Sequence, residues 1–191
     1  LYRNRYRANR YLGIDIRKQT IAACKEKWQD LGWAFFDSQD IVENIVAPAP
    51  DKERWDYITC FEVFEHISKS NGPSLLKNIC GCMHPETVLL VSTPCYDPEV
   101  GAAQNHIIDG EVGEYTYGEF RQLLETRLKV VDHFGTFCSK KDIKPFIPTE
   151  LRPFYDRLNM YYDSNLMSNI FAPLFPEHSR NVIWECKLCE K

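Results

Sequence analysis

The stretch WDYITCFEVFEHI, Trp55 to Ile67, decides how this chain is read. Its first part is an almost unbroken apolar run, which predicts a strand over Asp56–Phe64 covered on both faces, as central strands of parallel sheets are. Its second part gathers Glu62, Glu65 and His66 where that strand must stop. Two carboxylates and an imidazole in such a place read as metal ligands, as acid/base groups, or as the polar end of a strand turning into a helix.

Strands and helices alternate on either side. Upstream, YLGIDI (Tyr11–Ile16) is a short β-branched run that predicts a buried strand. In RKQTIAACKEKWQDLG, Ile21, Ala22, Cys24, Trp28 and Leu31 fall at near-helical spacing, with Gly32 placed to end the helix. WAFFDSQD is a second strand closing in acidic residues, and IVENIVAPAPDKERW, with Pro48 and Pro50, is a surface connection or short helix.

Downstream, Gly72 and Pro73 open a helix with Leu75, Leu76 and Ile79 on its apolar face, and TVLLVSTP is the clearest strand of all. A long polar loop, CYDPEVGAAQNHIIDGEVGEY, carries His106. Thr116 stands three residues before Glu119, the spacing of a capping box, at the head of a helix with Phe120, Leu123 and Leu124 on one face. LKVVDHFGTF is strand-like. Residues 145–176 are rich in aromatics, proline and methionine and predict a helical insertion, a candidate lid, before the last strand SRNVIWECKL. Arg180 and Asn181, preceded by Pro176, Glu177 and His178, form either a polar mouth to a substrate pocket or a turn into an edge strand.

This order predicts one domain over residues 1–191: an α/β fold, Rossmann-like and doubly wound, with a mostly parallel sheet and an antiparallel last strand. Ligands of such sheets bind outside the carboxyl ends of the strands. Those ends are acidic here: Asp15 after the first strand, Asp37 and Asp40 after the second, and Glu62 and Glu65 after the third. A carboxylate offers two acceptor oxygens, which suits a ribose diol or an exocyclic amine. Equally, Asp15 and Asp40 favour the N-termini of following helices.

Composition narrows the classes. With 44% hydrophobic residues, 191 residues suffice for one substantial core. A net charge of −4 argues against binding nucleic acid by phosphate neutralisation alone. Nucleic acid remains open only through the tract LYRNRYRANR, where Arg3, Arg5, Arg7 and Arg10 meet phosphates and Tyr2, Tyr6 and Tyr11 stack on bases; a solvated helix end is the favoured reading. No apolar run is long enough for a membrane span and no signal-peptide pattern opens the chain, so the expected location is the cytoplasm. Most of the eight cysteines sit singly in apolar segments, which predicts reduced, buried thiols. Cys186 and Cys189 have C-x-x-C spacing but lack a second ligand pair, so no metal is expected there.

YLGIDI, FFDSQDI, WDYITCFEVFEHI, VLLVSTP, then NHI with TYGEF, in this order and spacing, resemble class I S-adenosylmethionine-dependent methyltransferases over Tyr11 to about Lys187. The resemblance implies that Asp15, with Ile16 beside it, holds the ribose hydroxyls of S-adenosylmethionine. Asp40 then lies near the adenine amine, Ile41 lies against the ring, and Cys60, Phe61 and Glu62 flank the cofactor. S-adenosylhomocysteine would be the product. The family's Gly-rich loop, of the form D-x-G-x-G-x-G, has no counterpart ahead of YLGIDI. A chain that begins just beyond that loop is therefore expected, and a non-catalytic scaffold that has lost the cofactor is the alternative. His66 and His106 are the candidate acid/base groups. Glu62, Glu65 and His66 form E-x-x-E-H, which holds a divalent metal in some relatives and lines the pocket or caps a helix in many others, the favoured reading here. Thr93-Pro94-Cys95-Tyr96 is similar to the N-P-P-Y signature of DNA amino-methyltransferases but follows the wrong strand. The acceptor, small molecule or nucleic acid, is not named by any motif, nor is the oligomeric state.

Overall fold

The computed structural model describes residues 9–43, 55–98, 106–108, 110–138 and 144–189. The arginine tract before Asn9 and most of the connection after Ile41 lie outside the described residues. The first strand, β1 (Tyr11–Asp15), is followed by α1 (Lys18–Lys27) and by β2 (Ala34–Ser38), which pairs with β1 in parallel. β3 (Tyr57–Phe61) leads into α2 (Gly72–Gly81) and then β4 (Val88–Pro94). A small hairpin of β5 (Ile107–Ile108) and β6 (Glu111–Val112) precedes α3 (Tyr117–Glu125) and β7 (Leu128–Cys138). The insertion supplies α4 (Arg152–Asn159) and α5 (Ser164–Phe171), and β8 (Ser179–Leu188) closes the order.

β3 and β4 are parallel, and β8 lies between β4 and β7, antiparallel to both. Three strands of this sheet thus run one way and the last strand runs against them, as its position after a long insertion predicts. Among the described residues β1 pairs only with β2, and β3 only with β4, so the hydrogen-bonded strands fall into separate sheets.

Two elements end earlier than their patterns suggest. β3 stops at Phe61 because Glu62 takes φ 54, a left-handed conformation that breaks the pleat, after which Phe64–His66 form a 3₁₀ turn. α1 stops at Lys27 rather than running on to Gly32, since Trp28 leaves the helical region and Leu31 turns to accept the Ala34 N–H at 3.0 Å. α3 starts where its capping box predicts. The Glu119 N–H donates to Thr116 Oγ1 at 3.2 Å while the Thr116 N–H donates to Glu119 Oε2 at 2.8 Å.

α2 and α3 cover one face of the β3–β4–β8–β7 sheet through Leu75, Leu76, Phe120 and Leu124, all buried. At the centre Phe120 meets Phe64 edge-on at 5.0 Å between ring centroids and Trp184 at 4.9 Å. Each of these fully buried side chains contributes about 2–3 kcal/mol of hydrophobic stabilisation. A second, smaller core under the insertion gathers Ile147, Tyr155, Met167 and Phe171 against Cys138, at the carboxyl end of β7. The Cys138 N–H donates to Ser168 Oγ at 2.8 Å, tying that strand end to α5.

All eight cysteines are free thiols. Burial raises Cys60, Cys95 and Cys186 to about 12, so these thiols stay protonated. Cys186 lies in the core while Cys189 is exposed beyond the strand. Among the described residues, no helix is long and apolar enough to cross a membrane.

Candidate active site

The carboxyl ends of β3, β4 and β7 and the start of β8 share one edge of the sheet, because β8 runs the opposite way. Glu62 leaves β3 at this edge with an exposed side chain. Its Oε1 accepts from Ser92 Oγ of β4 at 2.7 Å and from Asn181 Nδ2 of β8 at 2.8 Å. The left-handed backbone of Glu62 and these two donors hold its carboxylate against the ends of the neighbouring strands.

Three residues on, the Glu65 side chain turns inward and is 1% exposed. Its Oε2 accepts from Thr93 Oγ1 at 3.1 Å. Burial holds the Glu65 carboxyl above the ordinary range, against the opposing pull of hydrogen bonds to its charged form. His66, by contrast, is exposed, with Nε2 3.8 Å from Glu65 Oε1. Its ring meets that of His106 at 5.2 Å, edge to face.

The β5–β6 hairpin makes this meeting possible. Gly113 donates its N–H to the His106 carbonyl at 2.8 Å and packs so tightly on the turn before α2 that a Cβ would lie 2.4 Å from the Glu65 carbonyl oxygen. Next to it, Glu114 is fully buried, and its Oε1 accepts from Arg180 Nη2 at 2.5 Å and lies within hydrogen-bonding distance of His106 Nδ1. The Arg180 carbonyl in turn accepts the Cys95 N–H at 2.7 Å, which joins the loop after β4 to the start of β8.

The other predicted cofactor residues sit on β1 and after β2. The Asp15 carboxylate accepts the Arg17 N–H at 2.7 Å and faces its guanidinium, which together hold its pKa below the ordinary value. Ile16 is 64% exposed. Asp40 Oδ1 accepts the Val42 N–H at 2.9 Å, and Asn78 Nδ2 donates to the carbonyls of Ile41 and Val42 at 2.9 Å each, fastening this turn to α2. Cys60 is different in kind: its thiol faces the core, so only its backbone lies at the strand edge, whereas the Phe61 side chain is exposed.

Beyond the loop after β4 lies an open cavity of about 410 Å³, lined by Tyr96, Tyr117, Phe146, Glu177 and His178 among others. The Phe146 and His178 rings stack at 3.8 Å, so the insertion and the residues before β8 close its far wall. Among the described residues, no group of three or more His, Cys, Asp or Glu side chains is arranged to hold a metal ion. Glu62 and Glu65, the carboxylates of E-x-x-E-H, point to different partners.

Sequence reasoning found His66, His106 and Glu62, which the structure brings to one edge. It did not single out Glu114 or Ser92, named Thr93 only within Thr93-Pro94-Cys95-Tyr96, and read Arg180 only as part of a polar mouth or of a turn into an edge strand. Glu114 stands in GEVGEY, a segment with no periodicity that sets it apart from a solvated loop acid.

A mostly parallel α/β sheet with its polar groups gathered at the carboxyl edge is the fold of the class I methyltransferases. A family model described as a methyltransferase domain matches residues 2–144, three-quarters of the chain, and the protein belongs to that family. Among solved structures, the [4+2]-cyclase SpnF has a TM-score of 0.60 at 12% identity, covering 95% of this chain and 67% of that one. The TehB-like SAM-dependent methyltransferase from Corynebacterium glutamicum ATCC 13032 has a TM-score of 0.54 at 14% identity, covering 93% of this chain and 67% of that one. The N-methyltransferase NodS from Bradyrhizobium japonicum WM9, in complex with S-adenosyl-L-homocysteine, has a TM-score of 0.56 at 12% identity, covering 95% and 67%. At these identities the likeness is one of fold. No curated protein matches by sequence.

Proposed function

We propose that the protein transfers the methyl group of S-adenosylmethionine to a small acceptor, releasing S-adenosylhomocysteine. The observation that carries this reading is the sheet edge, where exposed Glu62 is braced by Ser92 and Asn181 beside the paired rings of His66 and His106. The donor set suits the cofactor: Asp15 and Glu62 are carboxylate acceptors, Asp15 is held ionised, and hydroxyls and ammonium groups are donors. Asp15 with Ile16 would take the ribose, Asp40 and Ile41 the adenine, and the Cys60 backbone, Phe61 and Glu62 the remainder.

Bound there, S-adenosylmethionine supplies a methyl group on a sulfonium sulfur. The chain's own task is to hold the acceptor in line with that methyl group and to receive its proton where it has one to lose. His106 and His66 are the candidate bases. The open cavity of about 410 Å³ beyond the loop after β4, lined by Tyr96, Asp97, Tyr117 and Glu177 among others, has the size for a small molecule, but neither His66 nor His106 lines it, so it does not carry this reading.

The fold by itself does not decide the chemistry, since SpnF, of like fold, is a cyclase. Calorimetric titration of the full-length protein with S-adenosylmethionine is the direct test. Saturable binding that weakens on replacing Asp15 supports the enzyme; no heat at high concentration leaves a non-catalytic binding protein.

A further inference from the structure

The buried Glu114 is the feature that this reading leaves without a task. It is 0% exposed, yet two cationic or potentially cationic groups converge on its one oxygen Oε1: Arg180 Nη2 at 2.5 Å and His106 Nδ1. A carboxyl group so buried retains its charge only when it is paired. Arg180, charged at any working pH, is that partner. The remaining capacity of Oε1 is an acceptor capacity, so it is met by an N–H at His106 Nδ1.

We infer that Glu114 and Arg180 are positioning residues for His106, holding its imidazole in the tautomer protonated at Nδ1, with the basic lone pair at Nε2. A free neutral imidazole distributes its proton between the two nitrogens, and a hydrogen bond at one decides the matter at the other. Three further contacts keep the arrangement in register. Gly113, next to Glu114, bonds the His106 carbonyl at 2.8 Å; Cys95 bonds the Arg180 carbonyl at 2.7 Å; the His66 ring stands edge-on to His106 at 5.2 Å. The cluster therefore joins the hairpin, the loop after β4, the start of β8 and the turn after β3.

In the reaction proposed above, on which this role rests, the acceptor's X–H bond breaks as its proton passes to Nε2. The electron pair on X forms the new bond to the methyl carbon, and the carbon–sulfur bond breaks with its electrons leaving on sulfur. Proton and charge balance, with the imidazolium then facing the Glu114 carboxylate. Glu114 never touches the acceptor; it acts through His106.

The test uses the full chain labelled with 15N-histidine, read by two-bond proton–nitrogen correlation at mildly alkaline pH, with His106 assigned from a His106→Gln variant. The expected wild-type signal has the protonated-type shift at Nδ1 and the pyridine-type shift at Nε2. Glu114→Ala is expected to move His106 to the opposite tautomer. Glu114→Gln, which keeps an acceptor oxygen and the shape, is expected to retain the tautomer but to move the Nδ1 proton resonance upfield as the charge is lost. A wild-type His106 protonated at Nε2 overturns the proposal, as does a tautomer unchanged in Glu114→Ala or an Nδ1 proton unmoved in Glu114→Gln. None of these readouts needs cofactor, so failure here is distinct from failure of the S-adenosylmethionine titration.

Discussion

Gly113 lies against the Glu65 carbonyl so closely that a single Cβ on it would reach within 2.4 Å of that oxygen. The contact seats the hairpin carrying His106 on the turn carrying His66, and both partners are backbone, so neither can swing aside. Gly113→Ala is expected to destabilise the protein by about 1–3 kcal/mol, the usual cost of forcing an extra group into a packed contact. Urea unfolding monitored by Trp fluorescence measures this. A variant as stable as the wild type would mean that the hairpin is not fixed there.

Arg180 and Glu114 make the opposite experiment available. Arg180→Met leaves the fully buried Glu114 carboxylate without its guanidinium, a change that typically costs about 3 kcal/mol. The double variant Arg180→Met with Glu114→Gln removes the charge as well, and part of that loss is expected to return. Chemical denaturation of the two variants side by side checks the pair.

Glu65 gives a pH dependence whose sign follows from burial. Its folded pKa is raised above the ordinary 4.5, so between 4.5 and the folded value the folded chain holds more protons than the unfolded one. The contribution of Glu65 to stability therefore falls as pH rises through that window, then levels off above the folded pKa. Glu65→Gln abolishes this slope while its amide oxygen still accepts from Thr93. Unfolding free energies of both proteins, taken from pH 4.5 up to neutral, are expected to diverge in the variant's favour as pH rises.

In the proposed cofactor site, Asp15→Ala is expected to weaken S-adenosylmethionine by about tenfold or more, since hydrogen bonds to a charged acceptor are worth about 1.5–3 kcal/mol. The fold should tolerate the change, because among the described residues the Asp15 side chain bonds only the neighbouring Arg17, and Asp15 is the last residue of β1. Calorimetry gives the affinity, and circular dichroism checks the fold.

Thiol chemistry reports the core directly. Cys60, Cys95 and Cys186, held protonated up to about 12, should resist maleimide at neutral pH, while exposed Cys189 reacts first. Mass spectrometry of partially labelled protein orders the sites, and labelling of Cys186 ahead of Cys189 would contradict the packing of β8.

The sequence by itself determined which segments are strands and helices and in what order they come. WDYITCFEVFEHI, VLLVSTP and the Thr116–Glu119 pair declare local backbone preference, a property of neighbouring residues, and this suffices for a Rossmann-like sheet with an antiparallel last strand; the cover expected on both faces of the first stretch is not found, since among the described residues β3 is an edge strand with Tyr57 and Phe61 exposed. They also singled out Glu62 and His66, polar residues that follow an apolar strand, and His106 in the long loop after TVLLVSTP, as candidates for a site at the carboxyl edge. Only the tertiary structure decided how those residues meet. The left-handed turn at Glu62, the seating of Gly113 on Glu65, and the pairing of Glu114 with Arg180 across 66 positions depend on contacts between distant segments. No periodicity encodes such contacts. They arise when the reversed β8 carries Arg180 back to the same edge as the hairpin, where a buried carboxylate requires a cation and finds it.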